Sequence, residues 1–163
     1  MQFGIGIDIH PLVKNRKLVL GGVMIPFDRG LDGWSDADVL THAVIDALLG
    51  AAAIGDIGMH FPPGDIKYKD ASSLILLTEV KKKLTEKGWQ INNIDATVIA
   101  EKPRLRDYID KIREQLRKTL DISISKISVK ASTANQVGAL GHEEAIAAIA
   151  ITSIQKTRKK VQK

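Results

Sequence analysis

Phe3, Ile5 and Ile7 alternate with Gly4 and Gly6, the period-two pattern of a strand, which runs on into Asp8-Ile9-His10. Lys17 to Ile25 predicts a second extended segment, interrupted by Gly21-Gly22 and stopped by Pro26. The stretch after Ser35 is apolar nearly all round, so it predicts a buried helix; Ser35, three residues before Asp38, resembles a capping-box start. Residues 57–70 carry Pro62-Pro63-Gly64 and predict a loop. Ser72 to Lys87 places Leu74, Leu77, Val80 and Leu84 on one helical stripe with lysines opposite, and Ile109, Ile112, Leu116 and Leu120 mark another amphipathic helix beyond Pro103. Ile94–Ala100 and Lys126–Ala131 read as strands. Ala145–Ile154 is ambiguous, with alanines favouring a helix and isoleucines a strand, and the strand is preferred. Strands alternating with helices predict an α/β (α+β) fold, a mixed β-sheet with helices packed on one face.

The 163 residues fit one domain, 1–163, whose last residues, about 157–163, form a basic, solvated tail. Hydrophobic residues make up 44% and aromatics only 4%, which makes the core aliphatic and leaves little for stacking on nucleic-acid bases. Cysteine is absent, so disulfides and thiolate metal sites are excluded and any transition metal must sit on nitrogen and oxygen. The opening MQFGIGIDIH lacks the basic start and long apolar run of a signal peptide, and the longest apolar run is too short to span a bilayer. The expectation is a cytoplasmic protein with no membrane partner. Net charge is +5, much of it in the tail, which suits an anionic small molecule and is discounted as a sign of nucleic acid.

Asp8 and His10 lie two apart on a strand, hence on one side and roughly 6.5 Å apart along the backbone. With His42 from the buried helix they offer two imidazoles and a carboxylate, a set that suits zinc with an open fourth position. The competing reading is a hydrogen-bonded core histidine beside a chance Asp-x-His. Asp38 and Asp46 flank His42 by one turn each and either could orient its ring. Asp38 reads better as the acid at the helix N-terminus, and Asp46 stays open. Gly33-Trp34-Ser35 at the helix start would offer free amides to a phosphate, and Lys130, Ser132 and Thr133 end a strand with groups suited to phosphate oxygens.

DIH at the end of the first strand, LGGVMIP, GWSDADVLTHAVIDALLGAAAIGDIG, FPPGD, KAST and GHEEAIA together resemble the 2-C-methyl-D-erythritol 2,4-cyclodiphosphate synthase family, in order and over nearly the whole chain. The resemblance implies a homotrimer with active sites between subunits. Its substrate would be a CDP compound, 4-diphosphocytidyl-2-C-methyl-D-erythritol 2-phosphate, cyclised with loss of CMP. By position, Asp8, His10 and His42 would hold zinc or another divalent transition metal, and magnesium or manganese would accompany the diphosphate. Ser35 would bind phosphate, and Thr133 would orient the diphosphate. Asp56, Ile57 and Gly58 would meet the ribose, while Phe61 and Asp65 would cover the methylerythritol. Ala100, Glu101, Lys102, Pro103, Arg104, Leu105 and Arg106, with Ala131 and Ser132, would form the cytosine pocket.

Four positions depart from the family pattern. Trp34 stands where a histidine is usual, leaving its backbone to carry the phosphate role. Asn135 replaces an acidic magnesium ligand, Pro63 an acidic loop residue, and His142 an arginine near the trimer axis. Two readings follow: a cyclase with local compensation, or a zinc- and nucleotide-binding relative with weakened or lost cyclase activity. A metal-dependent phosphohydrolase and a basic RNA-binding module built on Lys111, Arg113, Arg117 and Lys118 are rivals from other classes. Product analysis and salt-dependent RNA affinity separate them.

Overall fold

The computed structural model describes residues 1–157; apart from Thr157, the basic tail lies outside the described residues. Strand β1 (Gln2–Lys14) pairs antiparallel with β4 (Arg29–Leu31) on one side and with β7 (Ala145–Lys156) on the other. β7 pairs with β5 (Trp89–Ile99), which pairs in parallel with β6 (Ile127–Ser132), so the mixed sheet has the order β4-β1-β7-β5-β6. Ala145–Ile154 is therefore strand, as its isoleucines suggest, within the longer β7. Lys17–Ile25 is not one interrupted segment. It forms a hairpin, β2 (Leu18–Leu20) and β3 (Val23–Ile25), in a separate two-stranded sheet. Gly21 and Gly22 both have positive φ, the conformation a two-residue hairpin turn demands.

Helix α1 (Val39–Ala51) lies on the sheet under α3 (Ser73–Glu86), and α4 (Ile109–Leu120) packs beside β6. Most of the predicted stripes are buried, Leu77, Val80 and Leu84 on α3 and Ile112, Leu116 and Leu120 on α4; Leu74 and Ile109 are half-buried, and Leu76, which the spacing did not include, is buried. The 57–70 loop is less irregular than its prolines suggest, since it contains α2 (Ile57–His60) and a 3₁₀ turn at Ile66–Tyr68. A short α5 (Gly138–Gly141) precedes β7. No helix among the described residues is long and apolar enough to cross a membrane.

The contact between α1 and β1 explains the two early glycines. A Cβ at Gly4 would fall 2.0 Å from the Ala47 carbonyl oxygen, and one at Gly6 2.0 Å from that of Ala43. Backbone thus touches backbone, and α1 descends as β1 ascends. The next inward positions of β1, Asp8 and His10, come level with the first turns of α1, where His42 sits. The opposite face of β1 carries Phe3, Ile5, Ile7 and Ile9, all between 55% and 67% exposed.

Candidate metal centre

Helix α1 begins at Asp38, not at Ser35. The fully buried Asp38 carboxylate caps the helix by accepting from Thr41 N at 3.0 Å and from the Thr41 hydroxyl at 2.7 Å. It also accepts from Gly21 N at 2.9 Å and Gly22 N at 2.7 Å, which ties the hairpin to the helix. Burial, with Asp36 nearby, raises its pKa against those hydrogen bonds. The cap uses the first-turn amide of Thr41, and Gly33-Trp34-Ser35 lie in the loop before the helix, not in its first turn. Arg16 braces that loop by donating to the carbonyls of Leu31, Gly33 and Ser35.

Within this frame Asp8, His10 and His42 each direct one ligand atom to a common point, all within 4.8 Å of one another. Asp8 Oδ2 lies 3.0 Å from His10 Nε2 and 2.9 Å from His42 Nδ1, and the two ring nitrogens are 3.4 Å apart. A tetrahedral cation with bonds of about 2.0–2.1 Å needs ligand atoms roughly 3.3 Å apart, so the cage fits a zinc-sized ion. The far nitrogen of His10, Nδ1, lies 2.6 Å from the Asp32 carbonyl oxygen. A carbonyl only accepts, so that nitrogen carries the proton and Nε2 is left free for a cation. The chemistry and spacing of this donor set suit a divalent metal.

Electrostatics agree with the geometry. Burial alone would raise the Asp8 carboxyl, but hydrogen bonds and charge from His10 and His42 outweigh it and hold the group well below the usual carboxylate range. Burial likewise works against a charged His10, yet the hydrogen bond and charge of Asp8 prevail and raise its pKa above 6.5. Asp46, the open candidate for orienting His42, instead accepts from Ile57 N at 2.7 Å, anchoring α2 to α1. Its pKa is raised by burial first, then by Asp56 and Asp8. The partners of His42 Nε2 are hydroxyls: Ser73 at 2.8 Å and Ser35 at 3.2 Å. Sequence reasoning missed Ser73, because a serine at the start of an amphipathic helix gives no signal of its own.

A cleft of about 230 Å³ opens beside the three ligands, lined also by Trp34, Ser35, Ile57, Gly58, Phe61, Pro63 and Tyr68. Phe61 meets Tyr68 edge-on at 5.4 Å. The Trp34 indole N–H donates to the Asp65 carbonyl at 2.9 Å and so pins the proline loop across the cleft. Asp65 caps the 3₁₀ turn through Lys67 N, and Asp56 caps α2 through Met59 N.

The other candidate residues lie elsewhere. Ala100, Glu101, Pro103, Arg104, Leu105, Arg106, Ala131, Ser132 and Thr133 line a second cleft of about 480 Å³, with no lining residue in common with the first. β6, which carries Ala131 and Ser132, is three strand spacings from β1, or ~14 Å across the sheet. Glu101 accepts from the amides of Ala134 and Gln136 and shapes the loop in which Asn135 accepts from the Thr133 hydroxyl. Lys102 reaches Glu143 at 2.9 Å, and His142 is exposed at the end of α5. On α4, Arg117 pairs with Glu114 at 2.7 Å and Arg113 with Asp110 at 3.1 Å, the pattern of a solvated helix face.

Known proteins are similar to this chain over nearly its whole length. The 2-C-methyl-D-erythritol 2,4-cyclodiphosphate synthase of Dehalococcoides mccartyi is 53% identical over 154 residues, spanning 94% of this chain and 98% of that protein. The synthase of Moorella thermoacetica is 55% identical over 151 residues, 93% of each. The CDP complex of IspF from Plasmodium falciparum superposes with a TM-score of 0.84 at 31% identity, covering 96% of this chain and 97% of that one. Residues 1–155 match the YgbB family, and the chain belongs to that family.

Proposed function

We propose that the chain converts 4-diphosphocytidyl-2-C-methyl-D-erythritol 2-phosphate to 2-C-methyl-D-erythritol 2,4-cyclodiphosphate and CMP, as a lyase of the non-mevalonate isoprenoid pathway. The observation that carries this reading is the Asp8–His10–His42 cage, set beside a small cleft in a chain over 50% identical to named synthases. An oxygen of the substrate's 2-phosphate forms a bond to the β-phosphorus of the CDP group, and the bond from that phosphorus to CMP breaks. Nucleophile and electrophile belong to one molecule, so the protein's work is to fold the substrate into attack geometry and neutralise charge.

Asp8, His10 and His42 hold a divalent transition metal, zinc in this reading, which supplies Lewis-acid polarisation of a phosphate oxygen. Ser35 and the amides of residues 34–35 take phosphate. Asp56, Ile57 and Gly58 take the ribose, while Phe61 and Asp65 cover the methylerythritol. Residues 100–106 with Ala131 and Ser132 enclose the cytosine. Thr133 orients the diphosphate, and Asn135 offers a neutral oxygen to its magnesium or manganese.

The metal-side cleft, at about 230 Å³, falls below the ~300–1,000 Å³ usual for small-molecule sites. A second copy supplying the larger cleft would complete the site. The exposed stripe Phe3, Ile5, Ile7 and Ile9, continued by Ile151, is the apolar face such copies would share. The assembly proposed is a cytoplasmic homotrimer with active sites between subunits.

CMP release from the CDP substrate, with zinc and magnesium supplied, tests the reading; His42→Ala should abolish it. One observation favours the second reading, a zinc- and nucleotide-binding relative with weakened or lost cyclase activity: the only donor of the Trp34 side chain is already committed to Asp65. CDP binding without turnover would establish that alternative, and a linear phosphate product in phosphorus NMR would establish a hydrolase.

A further inference from the structure

Asp36 lies in the loop before α1, and its carboxylate can only accept hydrogen bonds. Oδ2 accepts from Ser73 N at 2.9 Å, while Oδ1 accepts from Asp38 N at 3.2 Å and from the Ser73 hydroxyl. The Ser73 proton is thereby committed to Asp36. Its oxygen is left facing His42 Nε2 at 2.8 Å with only lone pairs to offer, so Nε2 must be the donor. The other ring nitrogen, Nδ1, is the one turned toward Asp8 and His10.

We infer that Ser73 and Asp36 form a positioning relay that fixes His42 as the tautomer protonated on Nε2, with its Nδ1 lone pair aimed at the cation site. The inference rests on reading Asp8, His10 and His42 as a metal centre. Ser73 is fully buried on the first turn of α3, so ring orientation is set by a helix that supplies no ligand itself. The chain of hydrogen bonds, carboxylate to hydroxyl to imidazole, also lets the charge of Asp36 support electron donation by Nδ1. Ser35 is a poorer partner. Its oxygen lies 3.2 Å from Nε2, also receives the Ala37 amide, and has no carboxylate behind it.

Two measurements test the relay without using substrate, so a failed cyclase reaction leaves them interpretable. In the zinc-loaded protein with labelled histidine, nitrogen NMR should show His42 Nε2 bearing the proton and Nδ1 bound to metal; an unprotonated Nε2 overturns the inference. In chelator competition, Ser73→Ala and Asp36→Asn should weaken zinc binding about 10–100-fold, while Ser35→Ala changes it by less than about 3-fold. Parent-like affinity in Ser73→Ala, or a larger loss in Ser35→Ala than in Ser73→Ala, also overturns it. The NMR result on the unsubstituted protein can overturn the tautomer even if a variant does not fold, and the affinities of the variants test the relay.

Discussion

Gly6→Ala should damage the metal centre out of proportion to its effect on stability. The added Cβ would sit 2.0 Å from the Ala43 carbonyl oxygen and 2.6 Å from Ala47 N, whereas real Cβ atoms do not come closer than 3.0 Å. Both obstacles are backbone, so α1 must back away from β1 by about 1 Å locally. Overpacking of this kind costs about 1–3 kcal/mol. For a chain of this size that lowers Tm by roughly 2–12 °C. His42 is the neighbour of Ala43, so the same displacement is passed to its Nδ1. Metal–ligand distances tolerate only about 0.2 Å, and the cage should therefore lose zinc affinity by at least about 10-fold. Gly4→Ala is the control. Its clash, also 2.0 Å, falls on Ala47 O, more than a turn further from His42, so stability should fall similarly while zinc affinity is better kept. Thermal unfolding in excess chelator and zinc titration by chelator competition read the two quantities separately. Parent-like zinc affinity in Gly6→Ala, or equal losses in both variants, would refute the coupling of helix seating to the cage.

Zinc affinity should rise about tenfold per pH unit up to the raised pKa of His10 and then level. Asp8 keeps that ring protonated above 6.5, a bound cation needs it neutral, and Asp8 itself is already ionised throughout. Titrations between about pH 6 and 8 that show no slope would contradict this. Trp34→Phe keeps an aromatic ring but loses the bond to Asp65, worth about 1 kcal/mol, so cleavage within residues 62–70 under limited proteolysis should quicken about 5-fold. Trp34→His should raise the rate of CMP release by restoring a group that can carry charge to phosphate; a rate no higher than the parent's would count against that role. Ile7→Lys places a charge on the apolar sheet face, turned away from Asp8 and His10, so light scattering should report monomers with CMP release lost and zinc binding retained. Intact trimers would dismiss that face as the interface.

Regular elements were legible wherever one face is buried and the other wet. The stripes of α3 and α4 follow that rule, whereas the alternation at Phe3–Ile7 marks a strand with its sense reversed, glycines against the helix and apolar side chains exposed. Local rules failed where a side chain serves a distant backbone. Ser35 resembles a cap by spacing, yet Asp38 takes the cap because its carboxylate can serve Thr41 and the Gly21-Gly22 turn at once. The proline loop yields two short helical pieces because Asp56 and Asp65 supply caps that spacing alone does not announce. Residue type alone left Asp8, His10 and His42 open between a ligand set and a core histidine, the family resemblance favoured the metal, and their convergence depends on the seating of α1. Ser73 was invisible, since its role exists only once α3 has docked beside α1.

One two-residue period underlies the core contact, the cation cage and the apolar face. Along β1 the inward positions are Gly4, Gly6, Asp8 and His10, and the outward positions are Phe3, Ile5, Ile7 and Ile9. Slipping the strand by one residue would exchange the sets, drive isoleucines into the α1 backbone and turn both ligands away from His42. Register is therefore enforced from both sides, by the absence of side chains under the helix and by the bulk that the other face offers to a neighbour. The cage inherits that enforcement. Asp8 and His10 need no local device to hold them in line, because the glycines below them already determine which way the strand faces and how near the helix comes.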